Sequence, residues 1–215
     1  SLFQERDFRR LWMVGLSIFV VRWLEMLAVG VFAYNATGSA FIVAMLTMLR
    51  LLPMGLFGAF LGAAAERMDL RRVQILILVM QILASTVIAL LALLDLIAVW
   101  HLAVASFING IGWAADNPVR RAMIGAVVGP SGMGAAMSID VGTSNASRML
   151  GPTLGGVLLA LLGLDGTFVL ATLLYLPALI AAILLPQTAR STASQPAPVL
   201  ARIAEGLAAV RADKR

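Results

Sequence analysis

Apolar runs about 20 residues long recur along the chain, and no other feature constrains its fold as strongly. A run of this length crosses a hydrocarbon core about 30 Å thick. Because no water is available at that depth, such a run must be helical for its backbone groups to find partners within the segment. The sequence therefore predicts an all-α membrane protein.

The composition agrees with this class and excludes several others. Of the 215 residues, 61% are hydrophobic and only 13% are charged, whereas a soluble domain carries about 25% charged residues. The arginines are dispersed among the connections between runs, so the net charge of +5 does not indicate nucleic-acid binding. Cysteine is absent, which excludes disulfides and thiolate metal sites. We find no nucleophile–base, zinc or phosphate-loop motif, so we expect neither an enzyme nor a metal or other cofactor.

The apolar runs predict six transmembrane helices within residues 1–186. They cover Leu11–Tyr34, Phe41–Ala65, Val73–Leu94, Ile97–Ala115, Ala136–Leu162 and Thr167–Leu185, with turns such as "NATGSA", "GPSGMG" and "GLDG" between them. Residues 187–198 are rich in Ser, Thr and Pro and predict a cytoplasmic linker. Residues 199–215 place apolar side chains at helical spacing, which predicts an amphipathic helix on the membrane surface.

The basic residues predict how these helices are oriented. Arginines precede the first run and follow the second, fourth and sixth, whereas the connections after the first, third and fifth contain no Lys or Arg. Positive connections stay in the cytoplasm, so both termini should be cytoplasmic. We expect a multi-pass protein of the bacterial inner membrane.

Ionisable and polar side chains interrupt four of the runs and are costly at bilayer depth. They are Arg22, Glu25, Arg50, Asn109, Asp140, Ser144 and Arg148, with Asp116 nearer the cytoplasmic end than Glu25 or Asp140. Such residues usually mark a pathway, so we predict that these helices line a common cavity. Alternatively, Arg22–Glu25 and Asp140–Arg148 are ion pairs that only lock the bundle.

Several motifs resemble those of a known transporter family. "GAAAERMDLRR" after the second run contains a Gly, an acid and several basic residues, and "GTSNASRMLGPTLGG" contains Gly, eight residues, then Gly-Pro-x-x-Gly-Gly. Together with "FRRLW", "TGSAF", "RLLP" and "DNPVRRAMI", they resemble the N-terminal six-helix half of a major facilitator superfamily transporter. The resemblance extends to about Pro186 and is nearest to the drug/macrolide-efflux and siderophore-exporter-like branch.

The resemblance implies a proton-driven exporter that works by alternating access between two six-helix halves. It assigns Gly62, Glu66, Arg67, Arg71 and Arg72 to a cytoplasmic gate loop, in which Glu66 engages a helix end or Arg120 and Arg121, near Asp116. It assigns Gly142, Gly151, Pro152, Gly155 and Gly156 to an antiporter-type kink. The chain departs from the family pattern in having Glu at position 66 and Asp69-Leu70 in place of Gly and a basic residue.

We therefore expect export of a small amphipathic compound in exchange for protons. Glu25 and Asp140 are the candidates for proton coupling, because a carboxylate in a low dielectric takes up a proton more readily than one in water. The candidates for the substrate cavity are Arg22, Arg50, Asn109, Ser144 and Arg148. Beyond lipid, substrate and protons, the expected partner is a second six-helix half, either a second copy in a C2 homodimer or a missing C-terminal half.

Two other functions remain open at this point. The chain is alternatively a facilitator without proton coupling, or a six-span structural or regulatory membrane subunit that transports nothing itself. The residues name no substrate.

Overall fold

A computed structural model describes residues 2–186, and within this range the side chains of residues 59–67 are not described. After a 3-10 turn at Leu2–Gln4 there are four helices, namely α1 (Arg6–Thr37), α2 (Ala40–Arg67), α3 (Leu70–Leu93) and α4 (Val99–Ile183). All four are long and apolar enough to cross a membrane. The predicted all-helical membrane class is thereby confirmed, whereas the predicted linker 187–198 and surface helix 199–215 lie outside the described residues.

The element order does not show six separate helices, because α4 runs through two of the predicted connections. Its 85 residues leave the helical conformation at Gly129 (φ 67°, ψ −178°) and Gly163 (φ 68°, ψ −173°). This backbone region is essentially restricted to glycine. A straight helix would separate Arg120 from Asp140 by about 30 Å, yet their side chains form an ion pair. The chain therefore reverses at Gly129.

A second reversal occurs at Gly163, because Leu185 packs in the same apolar cluster as Ala136, from which a straight helix would separate it by about 70 Å. We call the three parts of α4 its first arm (99–128), second arm (130–162) and third arm (164–183). The first glycines of the predicted turns "GPSGMG" and "GLDG" thus mark the reversals. Helix resumes directly after each one, which the sequence did not predict.

Local chemistry explains the other helix ends. Gly38 adopts the left-handed conformation (φ 64°) after α1, and its N–H donates to the carbonyl of Tyr34 at 2.7 Å. Asp69 precedes α3 and its carboxylate accepts a hydrogen bond from the Arg71 N–H at 3.0 Å. The connection between α2 and α3 is consequently short, and Asp69 in it forms the N-cap of α3.

The core consists of three apolar clusters that follow one another along α1. Phe8 and Leu11 pack with Val119 and Met123 of the first arm, and Val14 and Ile18 pack with Tyr175 of the third. Further along, Ala28 packs near Leu46, Leu102 and Phe168. α1 therefore lies against α4 along most of its length. The many small side chains among these buried residues let the helix backbones approach closely.

Two arginines from different helices meet at one end of this bundle. Arg10 Nη1 donates to the carbonyl of Leu184 at 2.9 Å, and Arg71 Nη2 donates to the carbonyl of Ile183. The beginning of α1, the beginning of α3 and the end of α4 thus lie together. We call this the basic end.

Candidate functional site

A buried polar cluster near the middle of α1 joins three helices. Glu25 of α1 is 1% exposed. Its Oε2 accepts a hydrogen bond from Asn109 Nδ2 of the first arm at 2.9 Å. The same oxygen lies 3.9 Å from Arg50 Nη2 of α2. We call Glu25, Arg50 and Asn109 the Glu25 cluster.

The Glu25 cluster has unused hydrogen-bonding capacity. Glu25 Oε1, Arg50 Nε and Asn109 Oδ1 are buried without a partner in good hydrogen-bond geometry. The Ser85 side chain of α3 also lies near the Glu25 carboxylate. Buried polar atoms are normally paired, because an unpaired one costs about 1–3 kcal/mol. A cluster with a spare carboxylate oxygen can accept a proton, and one with a spare guanidinium N–H can bind an acceptor on a ligand.

A close contact between α2 and the first arm of α4 holds Arg50 in place. Gly110 lies directly against the backbone carbonyl of Arg50, where any side chain would collide with it. Small residues at such crossings let two membrane helices touch through their backbones. Gly110 is thus a positioning residue for the Glu25 cluster, and it was not predicted from the sequence.

Arg22 does not pair with Glu25, so the pair suggested by their spacing in the sequence is wrong. The guanidinium carbon of Arg22 lies 4.4 Å from the ring centroid of Trp113 and 5.4 Å from that of Phe19. Its Nη2 is buried without a hydrogen-bond partner. Although Arg22 and Glu25 are three apart on α1, Glu25 instead contacts side chains from α2 and α4.

A second buried cluster lies around Arg120 of the first arm. Arg120 Nε donates to Asp116 Oδ2 at 3.3 Å, and Nη1 donates to Asp140 Oδ1 of the second arm. Gln74 Nε2 of α3 donates to the other oxygen of Asp116 at 3.0 Å. A Cβ on Gly15 would lie 3.0 Å from Arg120 Nη1, so this glycine makes room for the guanidinium. We call Gln74, Asp116, Arg120 and Asp140 the Arg120 cluster.

The Arg120 cluster corrects two predictions about Asp140. Asp140 was expected to lie deeper than Asp116, but both carboxylates bind the same guanidinium. The alternative pair Asp140–Arg148 does not form, because Asp140 turns to Arg120 and Arg148 is exposed. The second arm begins directly after Gly129 instead of at Ala136, and this brings Asp140 back alongside the first arm.

The predicted gate loop is described only in part. The side chains of Glu66 and Arg67 and the surroundings of Gly62 lie outside the description, so the expected contact of Glu66 with Arg120 or Arg121 stays a prediction. Arg72 Nε lies 3.7 Å from Asp69 Oδ2, and Arg71 bonds to the end of α4. Arg121 is exposed, whereas Arg120 is 1% exposed and bonded to two acids.

A polar stripe on α3 was also not predicted from the sequence. Gln74, Gln81 and Ser85 are each at most 4% exposed, and their spacings of seven and four residues place them on one helix face. Gln74 belongs to the Arg120 cluster, and Ser85 accepts a hydrogen bond from Thr172 at 3.1 Å. The spacing of these side chains within an apolar run was the signal that could have found them.

A cavity of about 220 Å³ lies beside the Glu25 cluster. It brings together four of the predicted cavity residues, whereas Asn109 is not part of its lining and donates to Glu25 instead. We call it the arginine cavity; its lining is Arg22, Trp23, Met26, Thr47, Arg50, Leu51, Trp113, Ser144, Ser147 and Arg148.

A neighbouring cavity of about 250 Å³ shares Met26, Thr47 and Arg50 with the arginine cavity. Its other lining residues are mostly aliphatic, among them Leu27, Val31 and Leu46. We call it the apolar cavity. The two form a cleft that is cationic in one part and apolar in the other.

The predicted kink residues have unequal surroundings. Gly151 packs directly on the indole of Trp23, and a Cβ on Gly155 would lie 2.7 Å from Leu27 Cδ1. Gly142 and Gly156 face open space. The backbone of α4 leaves the helical region at Gly129 and Gly163, not at Pro152. In the structure, the glycines of this motif therefore divide into two that pack the second arm against α1 and two that are uncovered.

Comparison with known proteins gives a match to the model of one protein family. Residues 1–214 match the model of a family described as "Transmembrane secretion effector". No curated protein matches the chain.

Proposed function

Since the chain belongs to the transmembrane secretion effector family of the major facilitator superfamily, we propose that it is a secondary active transporter, or half of one, that exports a small amphipathic compound in exchange for protons. The superfamily expected from the motifs is confirmed by the match over residues 1–214. The macrolide-efflux and siderophore-exporter-like branch stays a prediction.

The observation that carries the proposal is the burial of Glu25 beside a cleft. An ionisable side chain at membrane depth usually serves transport or a relay, because burying it without a use is costly. Glu25 contacts Arg50, and Arg50 lines both cavities. Protonation of Glu25 would remove the charge that attracts the guanidinium, and a substrate that contacts Arg50 would change the same contact. Proton and substrate would thus be coupled through one arginine.

We assign the Arg120 cluster to the gate at the basic end. Asp116 and Arg120 come from the first arm, Asp140 from the second and Gln74 from α3. The cluster therefore connects three helical segments, and breaking it would let them separate. Although Asp140 was a candidate for proton coupling, its pairing with Arg120 favours this gating role.

We propose that the three arms of α4 are the fourth, fifth and sixth spans and that the basic end faces the cytoplasm. Gly129 and Gly163 would then lie on opposite sides of the membrane. Alternating access needs a second six-helix half, supplied by a second copy or by a C-terminal half. The uncovered glycines Gly142 and Gly156 offer a surface on which another helix can pack closely.

Transport into liposomes tests the proposal. The full chain is reconstituted, a proton gradient is imposed, and uptake of a panel of anionic, cationic and neutral fluorescent amphipathic dyes is followed. We expect uptake that stops when a protonophore collapses the gradient and that is abolished in Glu25→Gln. Glu5→Gln is the matched control, because Glu5 is exposed at the start of α1.

The other outcomes separate the remaining functions. Uptake that continues down a concentration gradient after the proton gradient is collapsed would contradict proton coupling and favour a facilitator. If no dye of the panel is transported, the transporter proposal fails and a non-transporting subunit is favoured.

A further inference from the structure

We propose that the substrate carries a negatively charged group and that the arginine cavity binds it. This inference rests on the proposed function, because it names the substrate class of the same cleft. Its physical basis is a group of three arginines that line one cavity, of which Arg50 alone has a carboxylate within ion-pair distance among the described side chains.

Arg22 is the main source of the unbalanced charge. Among the side chains that the structure describes, Arg22 has no carboxylate within ion-pair distance, and its Nη2 has no hydrogen-bond partner. Two aromatic rings contact the guanidinium but supply no acceptor oxygen. A buried cation normally needs a charge partner because desolvation costs several kcal/mol. An anion that enters the cavity would supply this partner.

The other charged side chains around the arginine cavity are also mostly positive. Three arginines line it, namely Arg22, Arg50 and Arg148. Glu25 is the acid in contact with one of them, at 3.9 Å from Arg50. With Glu25 ionised, the three arginines and this contacting acid sum to +2. Asp116, which is paired with Arg120, also attracts Arg22 over a longer distance.

The remaining lining indicates the uncharged part of the substrate. Trp23 and Trp113 lie in the arginine cavity, and the flat faces of indole rings favour stacking with another ring. Ser144 adds a hydroxyl group that can donate to an anion, whereas the Ser147 hydroxyl donates to the Ser144 carbonyl at 2.8 Å. The apolar cavity continues from Arg50 along α1 and α2. We therefore infer an amphipathic anion with an aromatic or aliphatic body.

Binding of matched probes tests the charge preference. The full chain is placed in phosphatidylcholine nanodiscs and titrated with 2-naphthalenesulfonate, 2-naphthyltrimethylammonium and 2-naphthalenemethanol. The three probes share a ring and differ in charge. Tryptophan fluorescence reports binding through Trp23 and Trp113, in a Trp12→Phe/Trp100→Phe background that leaves two tryptophans. We expect the sulfonate to bind with a Kd about tenfold or more below that of the cation.

Single arginine variants locate the site. Arg22→Gln should raise the Kd of the sulfonate about tenfold and leave that of the alcohol unchanged, because a hydrogen bond to a charged group is lost. Arg148→Gln is a second variant whose exposed side chain makes misfolding a minor concern. Arg9→Gln is the control, because Arg9 is exposed near the start of α1. Equal binding of cation and anion, or unchanged sulfonate binding in both cavity variants, would overturn the inference.

Two further comparisons separate a substrate site from a lipid site and from an unselective cavity. Phosphatidylglycerol in the nanodiscs that displaces the sulfonate would assign the cavity to a lipid headgroup and overturn the assignment to substrate. Transport of neutral or cationic dyes without anion preference would refute this inference and leave the proposed transporter intact. Tight anion binding without any transport would refute the transporter and keep the anion site.

Discussion

Arg120 illustrates how single residues in this bundle are tied to one another. It is buried, it bonds Asp116 four residues earlier and Asp140 on another arm, and its guanidinium lies 4.7 Å from the ring centroid of Phe19. Gly15 leaves the space that it occupies. A buried ion group of this kind is costly to desolvate, and removing one member leaves the others uncompensated.

We predict that Arg120→Met lowers the free energy of unfolding by about 3–5 kcal/mol, because two buried carboxylates lose their cation. The triple variant Asp116→Asn/Arg120→Met/Asp140→Asn should recover much of this loss, since no buried charge remains. Thermal unfolding in detergent measures both. Arg121→Met is the control, because the neighbouring side chain is exposed. A triple variant no more stable than Arg120→Met would show that unbalanced charge is not the cause of the loss.

Most residues of the two clusters were identified from the sequence, but their contacts with one another were not. Glu25, Arg50, Asn109, Asp116, Arg120 and Asp140 were all identified because they interrupt or border apolar runs. Their partners depend on how each helix is rotated and where α4 reverses, and neither follows from spacing along one helix. Arg22–Glu25 was the pair suggested by local spacing, and Glu25 instead contacts Asn109, 84 residues away.

At the scale of elements, contact between α1 and the second arm of α4 depends on small residues. Gly151 and Gly155 lie four apart and face Trp23 and Leu27, which are also four apart. The two pairs form matching surfaces one helical turn long. Trp12 adds a hydrogen bond from its Nε1 to Thr143 Oγ1 at 2.9 Å. Packing of this type stabilises membrane helices through close contact.

We predict that Gly151→Ala destabilises the bundle by about 1–3 kcal/mol, because the added methyl group collides with the indole of Trp23. Gly156→Ala should change the stability little, since Gly156 faces open space. Thermal unfolding of the isolated chain compares the two. Equal losses in both variants would show that the contact with Trp23 is not responsible.

The helices themselves were largely predictable, because their length is set by the membrane and their ends by local chemistry. The glycine-containing connections correctly marked Gly38, Gly129 and Gly163 as reversals. The extent of helix around Gly129 was not predictable. Residues 116–128 and 130–135 are polar or glycine-rich enough to resemble a loop, and their helical conformation rests on packing of Val119, Met123 and Ala136 in the core.

At the scale of the whole molecule, contacts between distant helix ends gather basic residues at one end of the bundle. Arg10 and Arg71 both bond to the end of α4. The connection between α1 and α2 lies at the opposite end of both helices. One end of the bundle is therefore rich in arginine and the other is not, as the positive-inside rule expects of the cytoplasmic and outer sides.

Cysteine labelling in cells tests the proposed orientation, because the chain has no cysteine of its own. We predict that Asn35→Cys reacts with a membrane-impermeant maleimide from outside once the outer membrane is opened. Met68→Cys should react only after the inner membrane is permeabilised. Both side chains are exposed; Asn35 lies in the last turn of α1, before α2 begins, and Met68 directly follows the end of α2. The reverse pattern would place the basic end outside and contradict the orientation.

The ratio of protons to substrate tests whether Glu25 couples protons to export, which is the central proposal for the whole molecule. Liposomes containing the full chain and a trapped pH-sensitive dye are given 2-naphthalenesulfonate on one side, and both fluxes are recorded together. We predict a fixed ratio for the wild-type chain and sulfonate flux without proton flux, or no flux, for Glu25→Gln. An unchanged proton-to-sulfonate ratio in Glu25→Gln would contradict the coupling role of Glu25.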